Sequence, residues 1–149
     1  MKIRNSIQAT TDEFAAYRRD LHQNPQTAFE EEYASAFIAQ KLTEWGVPFV
    51  KGVGHTGIVA TIKGQTTQSG KAIGIRADID ALDIFEEPNK DWMSLIEGKM
   101  HGCGHDGHTT ILLNTAKYLN ENNNFDGTLH LIFQPAEENG EGANAMLAD

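Results

Sequence analysis

The stretch KMHGCGHDGHTT, residues 99–110, places three of the chain's six histidines and its only cysteine within eight positions. Imidazole nitrogen and thiolate sulfur are the donors that a borderline ion such as zinc prefers, so the stretch reads first as a metal site. Cys103 and His105 stand two apart with Gly104 between them, and on an irregular loop that spacing lets both side chains point the same way. The glycines at 102, 104 and 107 permit the backbone turns this needs. The competing readings are a small buried hydrophobe for Cys103 and an ordinary hydrogen-bonded core or surface residue for each histidine. A zinc finger is disfavoured, because there is neither a second cysteine pair nor a spaced histidine pair. A Cys103 nucleophile with His105 as its base fits less well than a metal site, since neighbouring loop positions rarely bring sulfur and ring nitrogen into hydrogen-bond reach.

Two acidic clusters accompany the histidines. Glu137 and Glu138 follow the apolar run GTLHLIF, residues 127–133. Adjacent carboxylates can diverge, one binding a metal while its neighbour faces a substrate. A hydrolytic metal site needs that arrangement: an open position for water and a carboxylate close by to take its proton. The plain reading of such a pair is a solvated turn; Pro135 and the apolar run before it favour the site. Further back, Arg76, Asp78, Asp80 and Asp83 close a second apolar run. Asp78 and Asp80 stand where a carboxylate could orient a ligating imidazole, or Arg76 pairs with one of them as an ordinary salt bridge. His101 and His108 either support the ligands or are simple loop polar groups, and His22 reads as a structural hydrogen-bonding residue. Glu141 and Asp106 complete the polar clusters.

The elements that must position these groups follow from periodicity. The spacing Thr10-x-x-Glu13 predicts a capping box, with Phe14, Tyr17 and Leu21 on one helical face and Asn24-Pro25 as the stop. Thr27-x-x-Glu30 predicts a second, whose helix carries the stripe Tyr33, Phe37, Ile38, Leu42 and Trp45 up to Gly46. The period then shortens to extended runs, VPFVK (47–51), GIVATIKG (57–64) and KAIGIRA (71–77), each bounded by turn residues. Ile111, Leu112, Thr115, Ala116 and Leu119 make a helical face directly after the histidines, and residues 127–133 are a buried strand. Strand, helix, strand implies an α/β sheet, and such sheets bind ligands at the carboxyl ends of their strands, where all three polar clusters fall. Residues 120–124 read as a surface loop. ANAMLAD (143–149) begins a helix and stops after about two turns, too short to stand unpacked, so the chain is expected to be truncated there.

Composition bounds the partners. A chain of 149 residues, 40% hydrophobic and 22% charged, is long enough for one domain with its own core. A formal charge of -9 disfavours nucleic acid and anionic membrane, both of which need clustered Lys and Arg, and suits a cation. One cysteine forms no internal disulfide, the first fourteen residues lack the apolar run of a signal peptide, and no run approaches the roughly 18–20 apolar residues that span a bilayer. A cytoplasmic protein is the expectation.

Four stretches, RRDLHQNP (18–25), GIRADIDAL (74–82), GKMHGCGHDGHTT (98–110) and FQPAEE (133–138), together resemble the peptidase M20 metal-dependent amidohydrolases, in the branch of hippurate hydrolases, N-acyl-amino-acid hydrolases, auxin-conjugate hydrolases and N-acetyldiaminopimelate deacetylases. The resemblance implies a zinc-peptidase-like α/β sheet flanked by helices. Residues 1–149 would be the amino-terminal part of the catalytic domain, incomplete and ending before a dimerisation domain. It also implies that Cys103, His105 and Glu138 bind metal, and that Glu137 is the general base. The implied reaction cleaves the amide bond of N-acyl amino acids, hippurate-like or N-acetyl, to a carboxylic acid and a free amino acid. The implied cofactor is a divalent metal, zinc, manganese, cobalt or nickel, with two ions in the complete enzyme. Two more histidine ligands are expected beyond Asp149, so turnover by these residues alone is not expected, and homo-oligomers are expected only of the complete protein. The alternative is a non-catalytic remnant that binds metal or a partner. Gln26, Asp83 and Asn139 depart from the family pattern, where Glu, Pro and Gly are usual; none of them is a ligand.

Overall fold

The computed structural model describes residues 4–87 and 91–149; residues 1–3, part of the stretch read for a leader, lie outside these. Five helices, α1 (Asn5–Gln8), α2 (Thr11–Gln23), α3 (Glu32–Glu44), α4 (His105–Glu121) and α5 (Gly142–Ala148), accompany four strands, β1 (Phe49–Val53), β2 (Gly57–Lys63), β3 (Ala72–Asp78) and β4 (Thr128–Gln134). The strands form one mixed sheet in the order β1-β2-β4-β3. β1 to β2 and β2 to β4 are antiparallel, whereas β3 and β4 run parallel, joined by α4 as a strand-helix-strand crossover. The expected α/β sheet flanked by helices is what the chain forms.

Alternation along the central strands makes one face of the sheet. Ile58, Ala60 and Ile62 of β2 and Leu129, Leu131 and Phe133 of β4 are buried together with Phe14 and Leu21 of α2, Ile38 and Leu42 of α3, and Leu112, Leu113 and Ala116 of α4. Fully burying a Leu, Ile or Phe side chain contributes about 1.5–3 kcal/mol, so this face dominates the fold's stability. The opposite face carries Val59, His130 and Ile132, and among the described residues α5, through Met146 and Leu147, leans over it. No helix among the described residues is long and apolar enough to cross a membrane.

Several local expectations are corrected. Neither capping box forms. Thr10 turns its hydroxyl back to the Ile7 carbonyl and meets Asn114 of α4, while Glu13 is taken by Tyr17 and Lys117. Thr27 and Glu30 instead form a turn gripped by Lys99, and α3 starts later. Helix α4 begins at His105 and not after the histidines, because its first turns are polar and carry no apolar stripe; Gly104, at φ +83°, supplies the left-handed entry. Asn120, read as loop, lies on α4 and donates to the Trp45 carbonyl. The short α1 buries none of its residues, so no periodic signal marks it.

β3 closes one edge of the sheet with its first five residues exposed, Ile73 at 66%. An open strand edge with apolar side chains is a template for pairing. Residues 1–149 on their own are therefore expected to associate through this bare edge, eluting from size exclusion at a larger apparent mass as their concentration rises, and Ile73→Lys is expected to abolish that shift. A monomer at every concentration would contradict it.

Candidate metal centre

The parallel pair β3 and β4 ends at the same side of the sheet, and the amino terminus of α4 comes back between them. Three chain segments converge there: residues 78–83 after β3, 101–108 at the start of α4, and 135–141 after β4. All three predicted polar clusters thus contribute to one place, as expected for the carboxyl ends of strands in an open sheet.

His105 stands at the centre and is nearly buried. Its Nδ1 is committed to Asp80, lying 3.0 Å from the backbone oxygen and 3.1 Å from Oδ1. That leaves Nε2 as the free donor atom, and the acids collect around it: Asp78 Oδ2 at 3.5 Å, Glu138 Oε1 at 3.7 Å and Glu137 Oε2 at 3.8 Å. Burial works against a charged imidazole, but the hydrogen bond to Asp80 and the charges of Asp78, Asp80 and Glu138 outweigh it and hold His105 above its ordinary range. Cys103 is exposed at the rim. A hydrogen bond to Glu138, then burial and the Glu137 and Asp78 charges, push its thiol up. Thiol, imidazole and carboxylates here form a surplus of negative charge around one gap, which is the condition a cation relieves.

Among the described residues two donor sets are close enough to hold an ion, Cys103 with His105 and Glu138, and Asp78 with His105 and His108, each with its atoms within 4.8 Å of one another. Both sets need His105 Nε2, because Nδ1 is occupied, so they are alternatives. Asp78 is already engaged on both oxygens, Oδ1 with His108 Nδ1 at 2.6 Å and Oδ2 with Arg76 at 3.0 Å. Burial opposes its ionisation, yet the His108 hydrogen bond and the His105 and Arg76 charges hold its carboxyl below the usual range. Glu138 differs: its Oε1 is buried with no hydrogen-bond partner. A buried polar atom without a partner costs about 1–3 kcal/mol, and an ion between Cys103, His105 and Glu138 would satisfy it. A thiolate, an imidazole and a carboxylate fit a first-row divalent ion.

The surroundings hold these groups still. Asp80, fully buried, accepts from the Glu138 backbone N–H through Oδ2 at 2.9 Å while Oδ1 faces His105, so one carboxylate fixes two of the three donors. Both sequence readings of this cluster hold: Asp80 orients the imidazole, and Arg76 pairs with Asp78. His108 is not a loop residue, since it lies on the first turn of α4 stacked on His105, centroids 5.5 Å apart. His101 is not a simple loop polar group either. It is buried with Nδ1 unpartnered, and burial pushes its pKa down to about 4. His22 has the expected structural role: its Nδ1 lies 2.8 Å from Asp106 Oδ2, which also accepts from Arg18 Nε, fastening α2 to the start of α4. Glu31, set in a run of glutamates, carries no sequence signal of a site residue.

The sequence pattern of peptidase family M20/M25/M40 matches residues 74–149. The hippurate hydrolase of Campylobacter jejuni is 47% identical over 137 residues, a match covering 92% of this chain and 35% of that protein. The N-acetylcysteine deacetylase of Bacillus subtilis is 43% identical over 136 residues, covering 87% and 34%. Among solved structures, the YxeP protein of Bacillus subtilis, described as a dinuclear metal binding peptidase from the M20 family, superposes with a TM-score of 0.89 at 40% identity, over 95% of this chain and 40% of that one. The chain thus spans little more than a third of the length of the relatives it matches.

Proposed function

The chain belongs to peptidase family M20/M25/M40, and from that membership we propose that it forms the amino-terminal part, residues 1–149, of the catalytic domain of a metal-dependent amidohydrolase that cleaves N-acyl amino acids. The observation that carries this reading is the meeting of Cys103, His105 and Glu138 within 4.8 Å, with the Glu137 carboxylate beside them and 41% exposed. The relatives named for hippurate and for N-acetylcysteine point to an amide between an acyl group and an amino acid as the substrate class.

In this reading Cys103, His105 and Glu138 hold a divalent ion of the zinc, manganese, cobalt or nickel class, with further donors completing a two-ion centre in the whole enzyme. Such an ion, when bound, polarises the amide carbonyl and acidifies water. The remaining work falls to the protein. Both carboxylates face His105 Nε2, but Glu138 is the more buried of the two and Glu137 the more exposed, so the neighbouring carboxylates divide ligation from proton transfer. Glu137 Oε2 takes a proton from water as the water oxygen bonds to the carbonyl carbon. It then returns that proton to the amide nitrogen as the carbon–nitrogen bond breaks, releasing a carboxylic acid and an amino acid. Asp80 keeps His105 in the tautomer with Nε2 free, and Arg76 keeps Asp78 from competing for the ion.

The test is hydrolysis of hippurate and N-acetylcysteine by the complete enzyme that contains this chain, before and after treatment with a chelator. The expected result is loss of activity on metal removal and recovery on adding manganese, zinc, cobalt or nickel. Activity that survives complete metal removal would refute the assignment.

A further inference from the structure

Glu31 is the cap residue of α3, yet its carboxyl group makes no bond to that helix. The cap is supplied instead by Gln26, whose side-chain oxygen accepts from the Tyr33 N–H. Released from its own helix, Glu31 turns into the interior, where it is fully buried. Oε1 accepts from the backbone N–H of Ala136 at 2.8 Å, and Oε2 accepts from the hydroxyl of Thr56, itself buried. A carboxyl group in such a place is costly unless both oxygens are used, and here both are.

The segments that Glu31 ties together share an unusual backbone. Among the described residues only Phe29, His55 and Ala136 are non-glycine residues with positive φ, at 63°, 76° and 48°. Each lies within two residues of one end of the Glu31 contacts: Phe29 beside Glu31, His55 beside Thr56, and Ala136 itself. The rings of Phe29 and His55 meet edge to face at 4.9 Å. Ala136 is gripped on both sides, its N–H by Glu31 and its carbonyl by the Gly142 N–H at 3.0 Å. Left-handed backbone at non-glycine residues persists only where the surroundings over-determine it, and such residues cluster at working sites. The next two residues after Ala136 are Glu137 and Glu138.

We infer that Glu31 is a positioning residue for the Glu137–Glu138 turn: by holding Ala136 in its left-handed conformation it sets where the two carboxylates point. The inference rests on the reading of Cys103, His105 and Glu138 as metal ligands. A change at Glu31 reaches the centre through one peptide group, Ala136, and alters the direction of the chain as it enters the donor set. Gln at position 31 still accepts from Ala136 through its amide oxygen and donates to the Thr56 hydroxyl, reversing one bond and keeping both contacts. Leu fills the same space and accepts nothing.

The experiment is a cobalt titration of the protein and its variants, followed through the thiolate-to-cobalt absorption that Cys103 would give, with thermal unfolding measured alongside. Ile38→Ala serves as the control for stability, because Ile38 is buried in α3 away from the turn. Glu31→Leu is expected to weaken cobalt binding about 10- to 100-fold, the usual effect of losing a group that supports a ligand. Glu31→Gln is expected to bind within about threefold of the parent, since the amide keeps both contacts, and Ile38→Ala is expected to lose stability with unchanged affinity. Parent-like binding by Glu31→Leu overturns the inference, as does equal weakening in Ile38→Ala. If Glu31→Leu does not fold, Thr56→Val decides: it frees the carboxyl group at one oxygen, so weaker binding than in Ile38→Ala supports the inference and parent-like binding overturns it. If the parent binds cobalt no better than Cys103→Ala, the metal-site reading itself fails and takes the inference with it.

Discussion

Glu137→Gln is expected to lower kcat of the complete enzyme about 10²- to 10⁴-fold, the range for removing a positioned general base, while leaving its metal content unchanged. Glu138→Gln is expected to strip the metal. The two side chains are adjacent in sequence and close in space, with oxygens 3.8 and 3.7 Å from His105 Nε2, so distance alone does not separate their roles. Burial does. Glu138 Oε1 is shut away without a partner, and an amide there would put a weaker donor, or an N–H, toward the ion. Glu137 reaches solvent, where a substrate must enter, and its amide is nearly isosteric but cannot take a proton. Metal analysis by mass spectrometry alongside steady-state kinetics checks both halves; a metal-free Glu137→Gln or a metal-replete, inactive Glu138→Gln would reverse the assignment.

Asp80→Ala is expected to weaken metal binding about 10- to 100-fold, as loss of the group orienting a ligand does. Asp80 serves two of the proposed ligands at once: removing its carboxylate frees the His105 ring to rotate on the remaining contact with the backbone oxygen, and leaves the Glu138 N–H unpaired. That second loss also carries a stability cost of about 1–3 kcal/mol, visible as a lower unfolding temperature even without metal. Asp80→Asn should fall between, since an amide oxygen can accept from one of the two donors and not from both. Unchanged affinity in Asp80→Ala would show that packing alone holds His105.

What the sequence made legible was chemistry concentrated in residue type. Cys103, His105, Glu137 and Glu138 stand out because thiol, imidazole and paired carboxylates are rare in such spacing, and the structure brings them together. The sheet was legible too, because strands β2 and β4 alternate and β3 leads into a helix and back. What stayed hidden depends on partners far away in the chain. Glu31 sits between Glu30 and Glu32 and reads as a solvated helix start; only Thr56 and Ala136 make it a buried anchor. The pairing of His108 with Asp78 depends on α4 beginning at His105, which no apolar stripe announces. The two capping boxes were legible as patterns and wrong as structures, since Lys117 and Lys99, distant in sequence, claim the glutamates first.

The order of strands across the sheet bears on how the molecule comes into being. β4 is the last strand among the described residues and yet lies inside the sheet, pairing with β2 on one side and β3 on the other. During synthesis from the amino end, β1 and β2 can meet as a hairpin, but β3 meets its partner among the described strands only when residues 128–134 emerge. Everything before that moment is a set of helices and strands with exposed apolar faces, the kind of nascent species that chaperones shield, and pairing between such distant segments is intrinsically slow. The proposed donor residues lie beyond the ends of β3 and β4 and at the start of α4, so they are not brought together before these two strands pair. In the proposed reading an ion would therefore be captured only after β3 and β4 have paired, and unlike in a zinc finger, the polypeptide must find that part of its shape first.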